Sequence, residues 1–381
     1  MKFRCERDVL SEAIGSAGRA VASRSGALPI LSGLLIRTTD DGLELAGSDL
    51  ELTIRVSAAA ECDGEGAAVL PARLFGDIVR ALEPGAVSVD VGDEEARITS
   101  GRSDFKLRVL PADDFPRLPE VAGSGVRMDA AALADALRQV IPAASRDDAR
   151  PILTGVLLVA EGSGLRLVAT DSYRLAVRDL PGETTLAAAL SGAAAEGRHV
   201  LVPAKALGEL QRILGAGGGA EGGGSQVELS FSDRDACFDT AKARVSTRLI
   251  EGQFPNYQQL IPSGYPNRLT VVRETFMEAV KRVRLIGRDR DNAPIRMAMG
   301  PGGLELTAVV HDVGQASEGL DAKYEGTETT VAFNPDFLLD GLSAITTEEV
   351  LVETLDTSKP AIVRSAEDGD FLYLLMPVRV S

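Results

Sequence analysis

One pattern recurs three times in this chain, its prolines 132 residues apart each time, and that period limits what the chain can fold into. The copies are Leu70-Pro71-Ala72-Arg73-Leu74-Phe75-Gly76-Asp77-Ile78-Val79-Arg80-Ala81-Leu82, Val202-Pro203-Ala204-Lys205-Ala206-Leu207-Gly208-Glu209-Leu210-Gln211-Arg212-Ile213-Leu214 and Phe333-Asn334-Pro335-Asp336-Phe337-Leu338-Leu339-Asp340-Gly341-Leu342-Ser343-Ala344-Ile345. A repeat of a few dozen residues stacks as a solenoid; one this long is a whole domain in tandem. In each copy the proline suits a helix start, where its missing N–H costs little. Apolar residues follow at helical spacing, as in Leu74, Ile78 and Leu82 or Leu207, Leu210 and Leu214. This predicts an amphipathic helix of about three turns in each copy.

A second triplet lies upstream of each helix. Ile30–Ile36 leads through Asp40-Asp41-Gly42 to Leu43–Asp49, and Ile152–Leu158 leads through Gly162-Ser163-Gly164 to Leu165–Asp171. Ile295–Met299 leads through Gly300-Pro301-Gly302-Gly303 to Leu304–Ala308. Each reads as a β-hairpin, two strands flanking a glycine-containing turn. Another helical stretch precedes each hairpin, at about 8–23, 130–145 and 275–288. Each third therefore runs helix, strands, helix, strands. The fold class is α+β, with three tandem domains of like topology at 1–122, 123–257 and 258–381. The glycine tract 215–224 reads as a flexible loop inside the second domain, not a linker.

Catalytic chemistry is hard to find. His199 and His311 are the only histidines, and neither has a Cys or His at metal-ligand spacing. His311-Asp312 resembles the dipeptide of metal phosphohydrolases, but no second histidine cluster completes such a site. The glycine tract lacks the Gly-Lys-Ser/Thr of a P-loop, and no Gly-x-Ser-x-Gly elbow occurs. The expectation is a non-enzyme with no metal and no cofactor. Three widely spaced thiols (Cys5, Cys62, Cys237), a first segment unlike a signal peptide and apolar runs too short for a bilayer predict a reduced, cytoplasmic protein away from membranes.

The formal charge of −16 argues against a nucleic-acid binder. Its distribution is uneven, however. The six predicted helices with their flanks sum to +2, leaving −18 for the rest of the chain. If the helices shared one side, that side would be weakly basic on an acidic body; each arginine by itself reads as an ordinary exposed helix position.

Several motifs in order resemble one family along essentially the whole length. They are Leu28-Pro29-Ile30-Leu31, Pro71-Ala72-Arg73, Leu110-Pro111-Ala112-Asp113-Asp114-Phe115-Pro116, Ala169-Thr170-Asp171-Ser172-Tyr173-Arg174-Leu175-Ala176, Phe254-Pro255-Asn256-Tyr257 and Tyr373-Leu374-Leu375-Met376-Pro377-Val378-Arg379. The chain resembles the bacterial DNA polymerase III β subunit, the β sliding clamp. Arg146-Asp147-Asp148-Ala149-Arg150-Pro151-Ile152-Leu153-Thr154-Gly155 is most similar to actinobacterial members.

The resemblance implies a DNA clamp fold: a head-to-tail homodimeric ring with helices lining a central hole and β-sheets outside. It implies a replication processivity factor that encircles double-stranded DNA without reading sequence. It also implies partners that carry clamp-binding motifs, namely the DNA polymerase III alpha subunit, the clamp loader delta subunit, and other polymerases and repair proteins. By motif position, Arg24, Arg73, Arg146, Arg150 and Lys205 match DNA-facing regions. Phe105 and Leu107 on a domain-one edge strand match one side of the dimer contact, and Leu285 and Ile286 the other. The partner-peptide pocket matches Leu153, Thr170, Ser172, Tyr173, Arg174, Leu175, Pro255, Leu260, Leu374, Met376, Pro377, Val378 and Arg379. Without the resemblance, Leu374–Val378 reads as a buried closing strand.

Enclosure answers the charge objection, because a ring need not grip DNA tightly to stay on it. Ser172-Tyr173 departs from the Gly-His or other aromatic pair of many members, which bears on partner and inhibitor affinity at the pocket rim. The alternative is a paralogue that does not encircle DNA, either a peptide-binding scaffold or an inhibitor-resistant second copy.

Overall fold

Helices in this chain spring from the ends of strands, which is how each domain passes from sheet to helix layer. The structure, a computed structural model, describes residues 1–22, 28–118, 125–161, 164–182, 199–216, 226–262, 264–287, 293–367 and 369–379. Among these, α1 (Arg7–Ala17), α3 (Ala130–Val140) and α5 (Arg273–Val283) follow directly on β1 (Lys2–Glu6), β10 (Val126–Asp129) and β18 (Asn267–Val272). Helices α2 (Ala72–Ala81), α4 (Ala204–Ala216) and α6 (Pro335–Ala344) follow β6 (Ala67–Pro71), β14 (His199–Pro203) and β23 (Thr329–Phe333). The strand ahead of the first helix in each third was not anticipated. At five, four and six residues these strands are too short for periodicity to announce.

The three repeated prolines do not all play the expected part. Pro71 and Pro203 close strands just before their helices, and only Pro335 is a first helical residue. Asn334 caps that third helix, its side-chain oxygen accepting the Asp336 and Phe337 N–H groups at 2.9 and 3.4 Å. In α2 Ile78 is buried as predicted, with Phe75 and Val79 beside it, and Leu82 is buried just past the helix end; of the predicted stripe only Leu74 is exposed. The first helices of the three thirds are also shorter than predicted, ending at Ala17, Val140 and Val283 in 3-10 turns.

Two of the predicted hairpins begin later than expected. Pro29–Ser32 and Pro151–Thr154 are 3-10 turns, not strand. The Ser32 and Thr154 hydroxyls donate to the Pro29 and Pro151 carbonyls at 2.7 and 2.8 Å, the same closure in both repeats. The strands proper are Gly33–Thr39 with Gly42–Ser48, Gly155–Glu161 with Gly164–Thr170, and Ile295–Gly300 with Gly303–Val310.

The chain forms two compact units. One comprises Met1–Ala134, Gly192–Gly197 and Ala206–Leu249, and the other Asp135–Ser191, Arg198–Lys205 and Ile250–Ser381. The first unit has a five-stranded and an eight-stranded antiparallel sheet, the second a nine-stranded and a four-stranded one. In the first unit β4 (Leu52–Ala58) pairs with β17 (Ala243–Arg248). In the second, β13 (Arg174–Pro181) pairs in the same sense with β26 (Phe371–Leu375). Each large sheet thus runs continuously through strands more than a hundred residues apart in sequence. The sheets and helices enclose a core of Leu, Val, Ile and Ala with few aromatics. Burial pushes the Cys5 and Cys237 thiols up, and all three cysteines are free. Among the described residues no helix is long and apolar enough to cross a membrane.

Candidate peptide pocket and its neighbouring surfaces

The loop joining β12 (Gly164–Thr170) to β13 is held in an unusual shape. Ser172 sits in the left-handed region at φ 81°, a conformation few non-glycine residues adopt. Hydrogen bonds on both sides offset that strain. One Asp171 carboxylate oxygen accepts the N–H groups of Tyr173 and Arg174 at 2.9 and 3.0 Å, and the Ser172 N–H donates to the Thr170 hydroxyl at 3.2 Å. The Thr170 hydroxyl in turn donates to the Arg174 carbonyl at 2.6 Å.

Beneath the loop lies Arg174, only 9 % exposed. Its Nε donates to the second Asp171 oxygen at 3.0 Å, and its Nη1 donates to the Asp340 carboxylate and lies 3.4 Å from the Tyr373 hydroxyl. The guanidinium carbon stands 4.3 Å from the centroid of the Phe337 ring, on which Tyr173 also stacks. Burial by itself favours the uncharged form of Arg174; Tyr373, Asp340 and Asp171 outweigh it and raise the pKa. The Tyr373 hydroxyl is pushed up by its own burial, partly countered by Arg174, and donates to the Phe337 carbonyl at 2.8 Å.

The apolar residues predicted for this site divide into a buried and an exposed set. Leu153, Leu175 and Leu374 are buried, and Leu175 faces Leu374 across the β13–β26 pair. They are core residues first, so the reading of Leu374 as part of a buried closing strand is correct for that residue. The chain emerges at Met376, whose N–H donates to the Tyr173 carbonyl at 2.9 Å. Pro377 and Val378 are half-buried, and the Val378 N–H donates to Ala332 O at 2.7 Å. Tyr173, Leu260 and Met376 stay exposed despite their size, and Pro255 and Arg379 are exposed as well. The structure thus links Thr170, Ser172, Tyr173, Arg174, Leu175, Leu374 and Met376 through direct bonds or strand register. Leu260, Pro255 and Arg379 lie at the surface.

The cations expected to face DNA are less uniformly available than counting suggests. Arg24 lies outside the described residues. Arg73 is 97 % exposed along its side chain, with Asp77 at 4.0 Å. Arg146 and Lys205 are exposed. Arg150 is held by Asp147 at 3.0 Å and donates to the Ser172 hydroxyl at 3.2 Å, which brings it beside the 170–174 loop. The Asp147 carboxyl is held below the usual range by the Ala149 N–H and by Arg150. Other helix cations are engaged with acids three residues away, as in Arg80–Asp77 and Lys281–Glu278. Arg138 donates to the carbonyls of Ser343 and Ala344, at the end of α6. Net helix charge therefore overstates the cationic surface that these helices present.

Of the four residues expected at a dimer contact, three reach the surface to some degree. Phe105 is exposed on β9 (Ser103–Arg108), the edge strand of the five-stranded sheet, and Leu285 is 59 % exposed. Ile286 is half-buried. Leu107 is buried within its own unit, so on this strand Phe105 alone presents a large apolar side chain outward.

Models of the DNA polymerase III beta subunit match the N-terminal domain at residues 1–119, the central domain at 127–256 and the C-terminal domain at 258–379. The chain belongs to the DNA polymerase III beta subunit family. It is 38% identical to the beta sliding clamp of Streptomyces coelicolor over 395 residues, covering 100% of both chains. The beta sliding clamp of Staphylococcus aureus is 31% identical over 390 residues, covering 100% of this chain and 99% of that one. Among solved structures, a sliding clamp from Bartonella birtlesii bound to griselimycin shares 31% identity at a TM-score of 0.89. The sliding clamp from Bacillus subtilis shares 28% at 0.87, and both structures are matched over 100% of each chain.

Within this clamp architecture, the repeats show which neighbours of Arg174 sequence reasoning missed. Ser48-Asp49-Leu50-Glu51 in the first third repeats the turn of Thr170-Asp171-Ser172-Tyr173. Leu50 has φ 77°, and Asp49 accepts the Glu51 and Leu52 N–H groups at 3.1 and 2.8 Å. The Arg248 N–H donates to Glu51 O at 3.0 Å, as Met376 does to Tyr173. The turn thus occurs in the first two thirds. What differs is the anchor: Leu52 stands where Arg174 does, and Val245 where Tyr373 does. Asp171, Phe337, Asp340 and Tyr373 were not singled out, although aligning the repeats would have shown this contrast.

Proposed function

We propose that two copies of this clamp close head to tail around duplex DNA and tether replication and repair proteins to it, without catalysis of their own. The observation that carries this reading is the match of three tandem clamp-domain models along the chain, with full-length cover of solved clamps. Exposed Arg73, Arg146 and Lys205 support weak, sequence-independent phosphate contact. An otherwise acidic body discourages DNA from adhering elsewhere. The domains are those at 1–122, 123–257 and 258–381. Tethering falls to the cleft around Tyr173, Leu260 and Met376, which suits short apolar motifs on the DNA polymerase III alpha subunit, the clamp loader delta subunit and other partners. The same cleft is the place for griselimycin, which two solved relatives hold.

Retention on DNA tests the ring. Protein loaded onto nicked circular DNA should stay bound through a high-salt wash and leave once the circle is linearised. Equal loss from circular and linear DNA would remove the topological reading and leave a scaffold that binds peptides only.

The pocket is tested separately by Arg174→Ala combined with Met376→Ala. This pair should weaken griselimycin binding by at least about tenfold, equivalent to about 1.4 kcal/mol, while the dimer persists in sedimentation. Unchanged calorimetric affinity would show that these residues do not form the pocket.

A further inference from the structure

Helix α6 is the third copy of the proline-led helix, and two of the positions at which it differs from the others bear on Arg174. Two residues after the proline, the first copies carry Arg73 and Lys205 and the third carries Phe337. Five residues after it, they carry Gly76 and Gly208 and the third carries Asp340. Both third-copy residues touch Arg174, one through its ring and the other through its carboxylate.

Arg174 needs that company. A guanidinium only 9 % exposed is poorly tolerated with a single carboxylate, and Asp171 is already divided between Arg174 and two backbone N–H groups. Asp340 approaches the guanidinium from a different element and is itself 43 % exposed along its side chain, so its effect is directional more than a large gain in stability. It fixes where the guanidinium sits. The guanidinium then orients Asp171, and Asp171 holds the turn that places Ser172 and Tyr173 at the pocket rim.

We propose that Asp340 is a positioning residue of the clamp's pocket, acting through Arg174 on the 171–173 turn. This rests on the pocket reading above, but part of its test does not. In the Asp340→Asn dimer, hydrogen exchange at the Tyr173 and Arg174 amides should quicken by about tenfold, since these are the N–H groups that Asp171 holds. Griselimycin affinity should fall about fivefold, and Asp340→Glu should restore part of both. In an Arg174→Met background, Asp340→Asn should add nothing further, as expected of residues acting in series. Unchanged amide exchange in Asp340→Asn would overturn the proposal, and so would losses of affinity that simply add across the two sites. Failure of the wild-type protein to bind griselimycin would refute the pocket instead, with the exchange result still deciding whether Asp340 controls the turn.

Discussion

A chain carrying Phe105→Asp and Leu285→Asp is expected to sediment as a monomer and to leave circular DNA as readily as linear DNA. Leu285 is among the most exposed large apolar residues of the chain, and Phe105 lies on the free edge of a sheet. An open strand edge beside an apolar side chain is a surface that soluble proteins ordinarily cover or pair. In a head-to-tail dimer that closes on itself the same contact occurs twice, so each substitution acts at two places. Placing unpaired carboxylates in such a contact costs on the order of 4 kcal/mol or more, about a thousandfold in the dimer constant. Sedimentation velocity at micromolar protein decides the matter. A persistent dimer would show that the subunits meet elsewhere.

Gly341→Ala is expected to destabilise the second unit although it adds a single methyl group to a helix. A Cβ at Gly341 would lie 2.5 and 2.6 Å from Cδ1 and Cε1 of Tyr373, closer than real contacts allow. Tyr373 is among the largest fully buried side chains, so its ring has little room to yield. Alanine is favoured over glycine within a helix by about 1 kcal/mol, whereas overpacking of a dense core costs about 1–3 kcal/mol and sometimes more. With two ring atoms under 3 Å, the clash should prevail, leaving a net loss of about 2 kcal/mol in urea unfolding. Any displacement of Tyr373 also moves its bond to the Phe337 carbonyl and its contact with Arg174. Griselimycin binding should therefore weaken alongside stability. A variant as stable as the wild type would mean that the helix shifts freely over β26, and the rigidity ascribed to the Arg174 anchor would be wrong.

Much of the domain plan was legible because it is written three times. Prolines spaced 132 residues apart, helical apolar spacing and glycine-containing turns recur in register, and each is a local preference that needs no tertiary partner to act. Where local signals were thin the reading slipped. The short strands before α1, α3 and α5 carry too few residues to show a period, and Leu74 sits beside the true buried position Phe75.

The surroundings of Arg174 were legible only in part. Thr170-Asp171-Ser172-Tyr173-Arg174 is a continuous motif and could be recognised as one. Asp340, Phe337 and Tyr373 lie 166, 163 and 199 residues from Arg174, and no spacing rule connects them. The helix charge sum is incomplete for a related reason: it cannot tell that Arg138 is spent on the carbonyls of Ser343 and Ala344.

By itself, then, the sequence determined three like α+β domains, because helix starts, turns and apolar periods are set by neighbours in the chain, while its ordered motifs carried the resemblance to the clamp family. Tertiary structure alone decided that Arg174 is a buried cation shared among Asp171, Asp340, Tyr373 and Phe337. It likewise decided that Leu107 faces inward while Phe105 is exposed. Burial and ion pairing depend on which surfaces meet once strands distant in sequence have joined one sheet, and a low-dielectric site gives each partner of Arg174 a weight that it would lack in water.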